Sequence, residues 1–196
     1  MPIIRFFTGS PIGVIVGVIV GVVAVVVVVF ALATIGGPGD CAPGGGEIVA
    51  NAANADAFDQ KWDGFDASLD GGSPSVVVFT ESEITSRADR FIEDESDVIA
   101  DVRICVHDGF GEISGKVDAF LGIDANFKAK GTVDLSGDHP VVNFDDINIG
   151  NIPGVAVEPF EGILEDAIEE LLKKVDLEHQ LTPTLSEGEA RVDGQP

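Results

Sequence analysis

The side chains able to do chemistry are few and scattered. Three histidines, His107, His139 and His179, lack the short spacings that bring imidazoles to one metal. Cys105 and His107 fall on one face of an expected strand, which is the placement of a Cys–His nucleophile pair. Residues two apart on a strand point the same way whatever their role, so the pair reads as structural. Gly109-Phe110-Gly111 with Gly115 has the glycine density of a phosphate loop. A hairpin follows it, however, and the mechanism needs a helix N-terminus. Asp145-Asp146 and the series Asp59, Asp63, Asp66 and Asp70 offer carboxylates without the Asp-x-Asp-x-Asp-Gly spacing of a calcium loop, so they read as solvated acidic faces. The expectation is a protein that is not an enzyme and carries no cofactor or metal.

The strongest patterning is apolar. Ile113, Gly115, Val117, Ala119 and Leu121 alternate with polar residues, and Ile123, Ala125, Phe127, Ala129, Gly131, Val133 and Leu135 continue the alternation. Period two over such a length predicts long antiparallel strands with one wet and one covered face, turning near Phe120-Leu121-Gly122. A strand over 98–106 joins this set through Asp108-Gly109, a hairpin signal, and another spans 141–149 with a bulge at Asp145-Asp146. Phe160, Ile163, Leu164, Ala167, Ile168, Leu171, Leu172 and Val175 give a wide apolar helix face over 158–175. Upstream, Phe58, Trp62, Phe65 and Leu69 make one stripe of a helix within 47–74. A short strand follows at 75–79. Thr80-Glu81-Ser82-Glu83 is a capping box opening a helix expected to bury Ile84, Ala88 and Phe91. A hairpin-like piece, 184–194, ends the chain. Such strands and helices enclose either a packed core or a groove.

Composition narrows the partners. Acidic residues number 34 against 11 basic, a formal charge of −23. A surface this acidic repels nucleic acid, which excludes that partner class. Between Arg5 and Asp40 the chain is uncharged, and 12–35 is nearly pure Val, Ile, Ala and Gly. About 20 apolar residues suffice for one membrane helix. Arg5 in the short leading flank and Asp40 beyond predict a cytoplasmic N-terminus (1–11), a transmembrane helix (12–35) and an extracytoplasmic remainder. A cleaved signal is the rival reading, but its apolar core is shorter. Gly13, Gly17 and Gly21 lie on one helix face, a spacing through which two membrane helices can pack as a homodimer. Residues 36–46 read as a flexible Gly/Pro linker. Cys41 in that linker and outward-facing Cys105 are candidates for a disulfide in an oxidising compartment, with two free thiols as the alternative.

One ordered set of residues carries a resemblance. Thr80-Glu81-x-Glu83-Ile84-Thr85-Ser86, a strand ending in Asp108-Gly109, long alternating strands, Ile147-Asn148-Ile149-Gly150-Asn151-Ile152-Pro153 and a long helix follow in this order. From about Ser75 to Gly194 the chain is similar to the LmeA-like phospholipid-binding proteins and the YpmS-type membrane-anchored proteins. These resemble halves of the tubular lipid-binding (SMP/BPI-like) superfamily. The resemblance implies an α+β fold over 75–196, in which a curved antiparallel sheet wraps a long amphipathic helix. It also implies a lipid-binding groove between the two and no catalysis. The groove would be lined by Val117, Ala119, Ile123, Phe127, Val133 and Phe144 from the sheet, and by Ile163, Leu164, Ala167, Ile168 and Leu171 from the helix, with Gly115, Ala125 and Ala129 leaving room. The expected function is a membrane-anchored extracytoplasmic domain that binds or passes phospholipid-like lipid. The alternative is a non-catalytic acidic assembly protein that dimerises through its transmembrane glycine face.

Overall fold

The computed structural model describes residues 37–96, 98–120, 123–150 and 158–196; for 118–120, 123, 124, 158–161 and 163 it describes the backbone alone. The expected membrane helix, its face at Gly13, Gly17 and Gly21, and the tail 1–11 lie outside the described residues. Among the described residues no helix is long and apolar enough to cross a membrane.

The chain is α+β with antiparallel sheets. Its described elements are α1 (Ala52–Asp70), β1 (Ser75–Thr80), α2 (Glu81–Glu95), β2 (Ile99–His107), β3 (Phe110–Phe120), β4 (Ile123–Asp134), β5 (Val141–Ile149), α3 (Glu158–Leu172), β6 (Gln180–Ser186) and β7 (Glu189–Gln195). Four strands form a meander, β2-β3-β4-β5, and three form a separate sheet, β1-β7-β6. The second sheet departs from the single sheet read from the sequence. β1 pairs with β7, Ser75 opposite Gly194 and Thr80 opposite Glu189. Local patterning carries no signal for a pairing so distant in the chain.

Local chemistry sets the boundaries. α1 begins five residues after the expected start, because Asn51 caps it by accepting from the Asn54 N–H at 2.9 Å. The α2 capping box forms: Thr80 Oγ1 accepts from the Glu83 N–H at 3.3 Å, and Glu83 Oε2 accepts from the Thr80 N–H at 2.9 Å. β2 and β3 turn through Asp108-Gly109, with Gly109 in the left-handed region at φ +80°. The bulge expected at Asp145-Asp146 is present, since Lys130 pairs with Asp146 and Gly131 with Phe144.

Two apolar cores result. One joins the inner face of the four-stranded sheet to α2 and α3 through Ile92, Val117, Phe127, Ile149, Leu164 and Leu171. The other packs Phe65 and Leu69 of α1 against Val77, Phe79, Leu181 and Val192 of the smaller sheet. Trp62 and Phe58 stack around Phe79, at ring-centroid distances of 6.4 and 4.2 Å. The α1 stripe is therefore part of the same fold as the strands that follow it.

Candidate functional site

The inner face of the four-stranded sheet is built in rows by the register. Ile99, Val117 and Ala125 make one row, Gly115, Phe127 and Ile149 the next, and Ile104, Ile113, Ala129 and Ile147 a third. Every side chain in these rows is apolar. α3 lies over them with Leu164 and Leu171 buried and Ala167 and Ile168 half-buried against the same cluster.

The expected groove walls are in contact. Val117, Phe127, Leu164, Ala167, Ile168 and Leu171 share one core, and Phe127 and Leu164 are 1% and 0% exposed. Val133 and Phe144, farther along β4 and β5, are half-buried. The side chains of Ala119, Ile123 and Ile163 lie outside the described residues. Gly115 does not leave room as expected: a Cβ there would meet Phe127 Cε1 at 3.0 Å and the Ala100 carbonyl oxygen at 2.9 Å. The Phe127 ring fills that space. Ala125 and Ala129, 0% and 1% exposed, are likewise covered.

The opposite, outer face carries the disulfide. Cys41 is bonded to Cys105 with Cα atoms 6.0 Å apart, and both are buried with Ile48. The Cys41 N–H donates to Ser114 Oγ at 3.0 Å. Residues expected to form a loose linker are thus docked along α2. Gly44 and Gly45 donate to the two Glu81 carboxylate oxygens at 2.9 and 3.0 Å. The Val49 and Asn51 N–H groups donate to Ser82 Oγ and Ser86 Oγ, each at 3.1 Å. Gly188 makes the close approach possible: it sits at φ +80°, and its N–H donates to the Val106 carbonyl at 2.9 Å. Its own backbone lies so near Gly45 that any Cβ there would collide with it.

α2 also closes the β2 edge, a role the sequence reading missed. Glu81, Thr85 and Asp89, four apart, accept from the N–H groups of Val106, Ile104 and Val102, two apart, at 2.7, 2.9 and 3.3 Å. Four helical residues rise about 6 Å and two strand residues about 6.6 Å, so the two ladders stay in step. This explains why Glu81 and Thr85 are buried, at 3% and 1% exposed, while Ile84, Ala88 and Phe91 are half-buried. The signal was there as Glu-x-x-x-Thr-x-x-x-Asp, but hydrophobic periodicity does not read polar stripes.

Charge is spent internally. The described Lys and Arg residues pair with carboxylates: Lys61 with Glu83, Arg87 and Arg90 with Asp59, Arg103 with Asp40, Lys116 with Asp101, Lys128 with Glu112, Lys173 with Glu169, Lys174 with Glu95 and Arg191 with Asp193. Lys130 instead lies 3.8 Å over the Phe110 ring. Among the described residues no cationic cluster is left over to recognise a phosphate. Burial acts to raise the Glu83 carboxyl, but hydrogen bonds from Lys61 and Thr80 and the Lys61 charge outweigh it and hold the group below its ordinary value. His107 stacks on Phe110 and lies 3.2 Å from Glu187, while Cys105 is held in the disulfide and has no thiol to serve as a nucleophile beside it. Among the described residues no three His, Cys, Asp or Glu side chains are placed to hold a metal ion.

Compared with models of known families, with curated proteins and with solved structures, the chain matches none.

Proposed function

We propose that this chain is a membrane-anchored, extracytoplasmic lipid-binding domain, and that the acyl chain lies between α3 and the inner face of β2–β5. The observation that carries the reading is the apolar surface of that face beneath a helix that buries Leu164 and Leu171 on it and leaves Ala167 and Ile168 half-buried. In this reading the sheet curves around α3, and an acyl chain enters by parting α3 from the sheet. Lifting α3 gives up the burial of Leu164 and Leu171, about 1.5–3 kcal/mol each. An acyl chain regains about 0.8 kcal/mol per buried CH₂, so roughly a dozen methylenes exceed that loss. Binding then proceeds without chemistry: the domain excludes water from the chain and leaves the headgroup outside.

Three further observations support it. The Cys41–Cys105 disulfide suits an oxidising compartment. The apolar segment 12–35 ends close to the docked 41–51 stretch, so a membrane anchor there holds the domain near the bilayer. The ordered motifs from Ser75 to Gly194 resemble a lipid-binding family.

The test is the mass of the full chain extracted from its membrane in a mild uncharged detergent. A stoichiometric phospholipid in the native mass spectrum, lost in Ile168→Asp, supports the reading. A clean lipid-free mass with no delipidation step overturns it. That outcome favours the second reading, an acidic assembly module, for which the internal pairing of the cations speaks.

A further inference from the structure

Residues 37–45 cross the outer face of the four-stranded sheet from one end to the other. The path begins where β5 ends. A Cβ on Gly37 would meet the Gly150 Cα at 2.7 Å, so the two glycine backbones touch. The Gly150 N–H donates to the Asn126 carbonyl at 2.7 Å, which ties the same end to β4. Asp40 then lies 3.6 Å from Arg103, and Cys41 is bonded to Cys105. Gly44 and Gly45 reach Glu81 and Gly188, beside Val106 at the other end of β2.

We infer that this strap holds the sheet end marked by Asn126 and Gly150 against the bilayer, so that the lipid surface is the partner of that end. The inference rests on the membrane-anchored reading and gives it an orientation. The apolar run 12–35 ends two residues before Gly37, a reach of roughly 7 Å at full extension. Gly37 is held by Gly150 and the strap behind it by the disulfide, so little slack remains to turn another side of the domain to the membrane. The sequence around Gly150 suits the contact, since 147–157 is the longest run without a charged residue after Asp40. A charge pressed against hydrocarbon is costly. Asp40 and Asp101, on the neighbouring surface, are paired with Arg103 and Lys116. Asp134, the last residue of β4, lies eight residues beyond Asn126, about 27 Å at a strand's rise. The β4–β5 turn and the small sheet therefore lie away from the bilayer. Of the three apolar rows beneath α3, Ile99, Val117 and Ala125 make the one nearest the leaflet. An acyl chain then passes between leaflet and interior at this end.

Both native cysteines are in the buried disulfide, so a single introduced cysteine takes a fluorophore alone. Asn148→Cys lies beside the contact and Ser136→Cys in the far turn, and both positions are exposed. The labelled full chain is reconstituted in phosphatidylcholine vesicles carrying a headgroup nitroxide as quencher, and the vesicles are floated on a density gradient. The label at 148 should lose most of its emission and the label at 136 little. Inserting about ten Gly and Ser residues before Gly37 adds a span of roughly 17 Å, and quenching at 148 should fall toward that at 136. A chain that floats with the vesicles but is quenched equally at both positions, or keeps the full contrast after the insertion, overturns this orientation and leaves the anchor standing. A chain that does not float overturns the anchored reading and this inference with it.

Discussion

Thr85 and Ile104 exchange two hydrogen bonds: Thr85 Oγ1 accepts from the Ile104 N–H at 2.9 Å and donates to the Ile104 carbonyl at 3.2 Å. One helical side chain thereby does what a neighbouring strand residue would do. With Glu81 and Asp89 it turns α2 into the outer neighbour of β2. The open edge of a sheet invites pairing with other chains, so the arrangement protects as well as stabilises.

Thr85→Val keeps the shape and removes both bonds. It leaves a buried N–H and carbonyl unpaired, at about 1–3 kcal/mol for each group. We expect a lower denaturation midpoint and faster amide exchange at Ile104, with Thr85→Ser retaining most of the wild-type value. An unchanged midpoint in the Val variant would show that the edge is not held by this side chain.

The disulfide closes a long loop, with a sequence separation of 64 between its cysteines. Loop-closure entropy for that length is about 4 kcal/mol, and measured effects usually fall in the range of about 2–5 kcal/mol. Cys41→Ser with Cys105→Ser, or reduction by a thiol, should therefore lower stability by about 2–4 kcal/mol. It should also open residues 41–51 to protease, since their remaining hold is the burial of Ile48 and hydrogen bonding to Ser114, Glu81, Ser82 and Ser86. Equal cleavage rates with and without reductant would contradict this.

Glu83 gives a sign to the acid response. Its carboxyl titrates lower in the folded chain than in the unfolded one. The stability it contributes is present above the unfolded value, about 4.3 for a glutamate, and is lost as pH falls through the lower folded value. Glu83→Gln should thus cost stability at neutral pH and shrink the difference from wild type in acid. Denaturant midpoints across pH 2 to pH 7 check it; a gap that widens in acid would refute the assignment.

Phe127 divides fold from function. At 1% exposed and packed against Gly115, it is part of the core rather than a free groove wall. Phe127→Ala should cost about 3–5 kcal/mol, and Phe127→Asp should not fold. Half-buried Ile168 is the better probe of lipid contact, because Ile168→Asp can leave its carboxylate at the helix margin. Circular dichroism with a thermal midpoint separates the two positions.

The meander was legible because its signals are local. The alternation from Ile113 to Leu135, the Asp108-Gly109 turn and the Thr80–Glu83 capping box each act within a few residues. The long-range pairings were not. β1 and β7 meet across the whole domain, and the polar α2 stripe has meaning only once β2 lies beside it. The Gly-rich stretch around Gly44 and Gly45 reads as a leash in the sequence. In the fold, those glycines let the backbone press against Gly188. Of the expected groove residues, Val117, Phe127, Leu164, Ala167, Ile168 and Leu171 meet in one core. Their closure on one another was not visible, because periodicity gives the facing direction and not the distance between walls.

The proposed path takes an acyl chain between α3 and the inner sheet. A phospholipid carrying a photoactivatable diazirine near the end of its acyl chain tests it in membranes holding the full chain. Cross-links are expected on peptides containing Phe127, Ile149 and the Leu164–Leu171 stretch, with their loss in Ile168→Asp. Cross-links confined to residues 1–36, with none on α3 or the sheet, would contradict it.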